Sequence, residues 1–401
     1  MLRLRTVKFG LTCVFVVILL IFTVMTTMSD VSSTDYRSIN NLDQNWDKPL
    51  HIAYPTAAPK IVDIIAEPTE IPTPEPVGPT PILLVTYMRS GSSFVGDLLK
   101  INPKTFYSFE PLHKLQAEVI KEKPVYYLDG TLRYPKNFME LSVDAIEHLS
   151  TCAMEKLPLY FYQDGFFSGF TDSTKFKICM NKTKIESNLE LGRKCSRVLS
   201  KGCKNSEFLV AKIIRIPLSP LEFLMKTIPK LKIIHLLRDP RATLSSQFRA
   251  GRYKVQNMQS AIGRFCNRVY DDMVIRDTLN RKYPGRIMTI EYEDIVRDPL
   301  EYTKRLYEFS GMEFTKHIQT NIVKLTASTQ KQSNSSVISS RWRTKLLEGV
   351  IKTADEKCQQ LYMKYGLKSL SFKDLKNISV PLKVDKVVSF GDFRHEEMEK
   401  S

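Results

Sequence analysis

The 401-residue chain is long enough for one large domain with appendages, and its 43% hydrophobic content is that of an ordinary globular protein, which excludes a chain without a core. Lys and Arg total 59 against 43 Asp and Glu, a formal net charge of +16. That excess favours polyanionic partners and leaves nucleic acid, an anionic membrane surface, a nucleotide, an acidic polysaccharide or a merely solvated basic surface open.

Residues 1–8 form a short basic tail carrying Arg3, Arg5 and Lys8. Phe9 to Met28 holds no charged residue, and a helix of that length spans the hydrocarbon of a bilayer. Asp30 and Asp35 follow it, so the positive-inside bias places the tail in the cytosol and the rest in a lumen. A cleaved signal peptide is the alternative. Its apolar region is shorter, and no A-x-A site follows here. Residues 29–80 read as a stem, polar and then proline-rich (EPTEIPTPEPVGPTP), which favours extended backbone over a core.

A catalytic domain is expected over 81–385 and a polar tail over 386–401. Ile82 to Tyr87 is a short continuous apolar run, as in a strand buried on both faces. A loop follows, and Phe94 to Ile101 reads as a helix that stops at Asn102-Pro103. Further strands are expected over Leu209 to Ile216, Lys232 to Leu237 and Arg286 to Tyr292. Helices are expected over Arg241 to Arg249, Asp294 to Phe309 and Arg343 to Tyr365. Strands alternating with helices predict an α/β domain with a mainly parallel sheet. Leu115 to Ser206 carries weak signals and is left unassigned.

Cys13 lies in the apolar span. Cys152, Cys179, Cys195, Cys203, Cys266 and Cys358 would meet an oxidising lumen, and their pairing is open. Sequons at Asn181, Asn334 and Asn377 agree with that compartment. No C-x-x-C pair occurs and the six histidines are scattered, so no metal is expected.

Two segments carry phosphate-binding chemistry. The first is Arg89-Ser90-Gly91-Ser92-Ser93-Phe94, between a strand and a helix start. Helix-start N–H groups attract anions, Gly91 permits a tight turn, and the serines and Arg89 add donors. The P-loop pattern G-x-x-x-x-G-K-[ST] is absent. A serine-capped helix is the bland alternative. The second segment is Arg238-Asp239-Pro240-Arg241-Ala242-Thr243-Leu244-Ser245-Ser246, again strand into helix, where an arginine and a serine two turns apart can embrace one phosphate. An exposed turn is its alternative.

Taken in order, the two segments resemble those of the carbohydrate sulfotransferases, in particular the subgroup that sulfates galactose, N-acetylgalactosamine or N-acetylglucosamine at the 6-hydroxyl, including the chondroitin and keratan enzymes. Phe109-Glu110-Pro111, Phe265-Cys266 with Asp271-Asp272, and Arg341-Trp342-Arg343 add to the likeness, which runs over Pro81 to Leu367. The resemblance implies a P-loop-like domain in a Golgi type II membrane protein. It also implies 3′-phosphoadenosine 5′-phosphosulfate (PAPS) as donor, with Arg89–Phe94 as its 5′-phosphosulfate loop and Arg238–Ser246 as its 3′-phosphate site. The acceptor it implies is an acidic glycan, with nucleic acid excluded.

Arg89 is the candidate for stabilising the leaving phosphate. Glu110 is the candidate base, its pKa expected to rise with partial burial, and His113 is its rival. Lys212 and Arg215 either reach the donor or an acidic glycan, or are surface charge. Trp342 either stacks on a ring or anchors packing. Two other readings share the anchor, stem and sequons. One is a lumenal glycosyltransferase, although the chain has no Asp-x-Asp. The other is a non-catalytic basic glycan-binding membrane protein.

Overall fold

A computed structural model describes residues 78–134, 137–330 and 340–384. The expected anchor over 9–28, the stem up to residue 77, the tail from 386 and the sequon at Asn334 lie outside the described residues. Among the described residues no helix is long and apolar enough to cross a membrane.

The centre is a five-stranded sheet of β1 (Thr80–Val85), β2 (Thr105–Phe109), β5 (Phe208–Ile213), β6 (Lys232–Leu237) and β7 (Ile287–Glu291), in the order β2-β5-β1-β6-β7. Every pairing in it is parallel. A parallel sheet is covered on both faces, and the side chains obey the two-residue period. Leu83 and Val85 of β1 enter one core with Leu209, Ala211 and Ile213 of β5. Ile82 and Leu84 enter the opposite core with Val210 of β5 and Ile234 and Leu236 of β6. This is why these strands read as unbroken apolar runs.

Helix α1 (Ser92–Lys100) turns Val95, Leu98 and Leu99 into the second core and stops before Asn102-Pro103. The span expected to be one helix over 294–309 is two: α8 (Tyr292–Arg297) and α9 (Pro299–Ser310). Pro299 cannot continue a helix interior, and Asp298 instead caps α9 by accepting from the Glu301 N–H. The helix expected over 343–365 is likewise divided. A 3-10 turn (Arg341–Lys345) precedes α11 (Glu348–Lys357) and α12 (Gln359–Tyr365), because Arg343 is drawn inward to donate to the carbonyls of Leu375, Asn377 and Val380.

The unassigned stretch 115–206 folds as α2 (His113–Ile120), a hairpin of β3 (Val125–Tyr126) and β4 (Leu132–Arg133), α3 (Phe138–Ser150), α4 (Ser173–Met180) and α5 (Leu189–Lys204), with shorter turns between. Disulfides Cys152–Cys203 and Cys179–Cys195 staple this region, and Cys266–Cys358 joins α7 (Met258–Lys282) to the start of α12. Long closed loops of this kind restrict the unfolded chain most. Helix α6 (Pro240–Arg249) follows β6, and α10 (Lys316–Gln330) follows α9. Asn181 and Asn377 are exposed.

Candidate active site

In a parallel α/β sheet, ligands gather beyond the carboxyl ends of the strands. All the sequence-predicted candidates lie there: Arg89 to Phe94 after β1, Glu110 and His113 after β2, and Arg238 to Ser246 after β6. Lys212 is the penultimate residue of β5 and Arg215 lies just past the strand.

The first loop is built for close approach. Gly91 has φ 86°, and a Cβ placed there would sit 2.1 Å from the Tyr292 ring. Only glycine meets both demands. Arg89 is also left-handed, at φ 67°. The loop's carbonyls are tied back: Gln247 donates to Met88 O at 2.8 Å and Arg238 to Arg89 O at 2.8 Å. Ser92, Ser93 and Phe94 open α1, so their N–H groups have no partner within the helix. Beneath the loop, Tyr87 donates to Asp272 at 2.9 Å and lies 3.0 Å from His235 Nε2, while the Leu218 N–H donates to Asp272 at 2.7 Å. This buried network seats the loop, and it explains the Asp272 that the sequence offered as a motif without a role.

The two phosphate signals meet. Arg89 Nε donates to Ser246 Oγ at 3.2 Å, and Arg238 stacks 4.6 Å from the Tyr292 ring centre. The rest of the second segment divides by direction. Asp239 caps α6 and grips Arg241 with both oxygens, at 3.0 and 2.7 Å. Arg241 is fully buried and also donates to Lys368 O. Ala242 packs with Trp342, and Leu244 joins the core under α7 and α11. Arg241, Ala242 and Leu244, expected to touch the donor, therefore direct their side chains into the interior and shape the helix. Pro240, Thr243 and Ser245 are buried as well. Trp342 is 4% exposed and anchors packing.

Glu293, which the sequence did not single out, lies under Arg238. Its Oε1 accepts from the Asp239 N–H at 3.3 Å and is 3.9 Å from Arg238 Nε. The side chain is 21% exposed, yet its Oε2 is sealed from solvent with no hydrogen-bond partner among the described residues. Burial, with Asp239 adding, pushes this carboxyl up to about 8 against the pull of Arg238.

Glu110 is strained at φ 46° and buried. Its Oε1 is 2.9 Å from Lys212 Nζ and its Oε2 2.6 Å from Arg215 Nη1. The expectation that burial raises its pKa is overturned. Burial does push upward, but Arg215 and Lys212 outweigh it and hold the carboxyl below its ordinary value. Burial in turn lowers the Lys212 ammonium, with Glu110 opposing. Lys212 and Arg215 are thus not surface charge. Lys212 also donates to Ser93 Oγ at 3.1 Å, so it bridges Glu110 to the phosphate loop. Its position inside an expected apolar strand was the signal available in sequence. His113 holds Asp164 through Nδ1 at 3.1 and 3.2 Å and stacks 4.3 Å from Phe166. His113 donates its N–H to Glu110 O, so both candidate bases belong to one turn.

The model of the sulfotransferase domain matches residues 79–364. Carbohydrate sulfotransferase 1 of Danio rerio is 29% identical over 353 residues, covering 77% of this chain and 82% of that protein. Carbohydrate sulfotransferase 3 of Mus musculus is 25% identical over 322 residues, covering 72% and 68%. The crystal structure of mouse sulfotransferase SULT7A1 complexed with PAP aligns over 74% of this chain and 87% of that one, at 13% identity and a TM-score of 0.35. With the domain match spanning both phosphate segments and the turn at Glu110, the chain belongs to the sulfotransferase family.

Proposed function

We propose that this chain is a Golgi single-pass type II membrane enzyme that moves a sulfuryl group from PAPS to the 6-hydroxyl of galactose, N-acetylgalactosamine or N-acetylglucosamine in an acidic glycan of chondroitin or keratan type. The names of its relatives, the ordered motifs and the +16 charge support the acceptor class. The apolar span over 9–28, the sequons and the three disulfides support the compartment.

The observation that carries the reading is the chain Glu110–Lys212–Ser93 lying beside Arg89–Ser246 at the carboxyl ends of the strands. It sets a carboxylate next to a phosphate cradle. The residues fit the donor. Gly91 leaves a cradle that a Cβ would fill, and the buried Ser90 Oγ and Arg238 Nε have no hydrogen-bond partner among the described residues. Ser90, Gly91, Ser92, Ser93 and Phe94 would hold the 5′-phosphosulfate, and Arg238 with Ser246 the 3′-phosphate. When bound, the donor supplies an activated sulfur whose bond to a phosphate oxygen breaks as the acceptor oxygen bonds to it.

Arg89 and the free N–H groups of α1 stabilise charge growing on the departing phosphate oxygen. Glu110 is a carboxylate at neutral pH and receives the acceptor's proton. While Lys212 and Arg215 face it, its basicity is damped. An anion against Ser93 draws the Lys212 charge toward itself, which raises the proton affinity of Glu110 at the moment the donor is seated. His113, held by Asp164, positions this turn.

Thermal unfolding tests the donor assignment. PAP at about 100 times its dissociation constant adds about 2.7 kcal/mol to stability without divalent metal. A midpoint that moves only with a sugar nucleotide plus manganese selects the glycosyltransferase reading.

A further inference from the structure

Helix α5 presents a second feature, on an element that supplies no residue to the site above. Its exposed positions Arg193, Lys194, Arg197, Lys201 and Lys204 begin with an adjacent pair and then recur at three- and four-residue intervals. Residues so spaced share one helix face, about 5–6 Å apart. The stripe covers eleven residue steps, about 16 Å at 1.5 Å per residue. That spacing is below the screening length of about 8 Å at physiological ionic strength, so the fields of neighbouring cations add.

The stripe keeps most of its charge. Among the described residues none of the five cations is within ion-pair distance of a carboxylate; Arg193 spends one N–H on the Leu128 carbonyl at 3.1 Å, and its charge also acts on the neighbouring Asp129. Glu190 is the one acid that α5 itself carries, at the start of the helix. There an open cavity of 430 Å³ is lined by Asn188, Glu190, Leu191, Arg193, Lys194 and Arg197. The opposite face is committed to the core. Cys195, Leu199 and Cys203 are buried, and both cysteines are in disulfides. Exposed Lys177, Lys182 and Lys184 lie on the segment that the Cys179–Cys195 bridge ties to α5.

We infer that the face of α5 carrying Arg193, Lys194, Arg197, Lys201 and Lys204 is a docking site for an extended acidic polysaccharide, separate from the catalytic site. A linear row of cations matches a chain bearing carboxylate or sulfate at regular intervals. The two disulfides keep the row fixed before binding, which lowers the ordering cost. A lipid surface fits less well, because the apolar side of α5 is sealed in the core and cannot enter a bilayer. The C-terminal end of α5, with Lys201 and Lys204, leads through residues 205–207 into the start of β5, at the strand ends opposite Glu110 and Arg89, so the row runs away from the catalytic site. On that path it holds a remote part of the chain while another part is modified. This last step rests on the glycan acceptor proposed above; the docking itself does not.

The full-length chain and the variant Arg193→Ser/Lys194→Ser/Arg197→Ser are compared for binding to chondroitin sulfate chains across salt concentrations. Losing three cations from a polyanion contact raises the dissociation constant about tenfold or more and flattens its salt dependence. Arg193→Lys/Arg197→Lys keeps the charge and holds affinity within about twofold. The PAP-induced stability shift and the KM of a disaccharide acceptor stay unchanged, while the KM of a polymeric acceptor rises. Binding is read directly, so a failure of sulfate transfer leaves this test standing. Unchanged chain affinity in the folded triple variant overturns the proposal, and so does loss of phosphatidylserine nanodisc binding with chain affinity intact.

Discussion

Replacing Glu110 by glutamine separates proton transfer from structural anchoring, because the two roles carry different magnitudes. The side chains of Glu110, Lys212 and Arg215 are 9%, 3% and 9% exposed. Removing one partner of such a buried pair leaves uncompensated charge and costs about 3–5 kcal/mol. At about 2–4 °C per kcal/mol for a domain of this order of size, the unfolding midpoint falls by roughly ten degrees. The pH sign follows from the lowered carboxyl. Its stabilising contribution is present above the ordinary glutamate pKa and is lost as pH falls through the folded value, so the variant loses this acid-side dependence. Turnover of the folded variant falls by about 10²-fold or more, since a general base contributes at least that much. Adding Lys212→Met removes one of the stranded cations. The pair of changes recovers part of the stability but none of the turnover. Calorimetry and labelled sulfate transfer on the same samples give both quantities. Turnover that tracks the folded fraction, or returns with stability in the double variant, would refute Glu110 as the base and turn attention to His113.

Arg238→Ala and Ser246→Ala each weaken PAP binding by about 10- to 100-fold, because charge-assisted hydrogen bonds are worth about 1.5–3 kcal/mol, and unchanged titration calorimetry would remove both from the 3′-phosphate site. Gly91→Ala forces a Cβ into the Tyr292 ring at a φ of 86°, so it abolishes the PAP stability shift, and a retained shift would show that the loop yields. Glu293, raised to about 8 from 4.5, favours folding in its neutral form. That stability is complete below about pH 4.5 and is lost progressively as pH rises to about 8, so Glu293→Gln flattens the decline between those values in thermal scans. Ionised Glu293 also opposes the phosphate at Arg238, so PAP affinity in the parent chain weakens above pH 8 and stays level in the variant.

The sheet was legible because buried parallel strands read as continuous apolar runs: Lys232–Leu237 was located to the residue, and β1, β5 and β7 to within three residues at each end. The phosphate segments were legible because glycine, serine and arginine beside a helix start carry their own chemistry. Helix continuity was not. Pro299 and the inward pull on Arg343 break spans whose apolar spacing alone suggested single helices. The 115–206 region was opaque because it is held by two disulfides between distant cysteines and by aromatic packing such as Phe161 with Phe167 and Phe170, none of which is periodic. The pKa of Glu110 was misjudged because its partners lie about 100 residues away, on β5 and just past it. A sequence shows that a carboxylate adjoins Phe109 and Pro111, but not that two cations from the end of another strand and the loop after it meet it.

Transfer of radiolabelled sulfate from PAPS to a panel of chondroitin, keratan and heparan acceptors tests the central claim most directly, followed by disaccharide mapping of the labelled position. The account predicts label on a 6-hydroxyl of galactose, N-acetylgalactosamine or N-acetylglucosamine in chondroitin or keratan chains, lost in Arg89→Ala and Glu110→Gln. A chain that binds PAP and glycan yet transfers no label to any acceptor would contradict it and leave a glycan-binding protein on an inactive sulfotransferase fold.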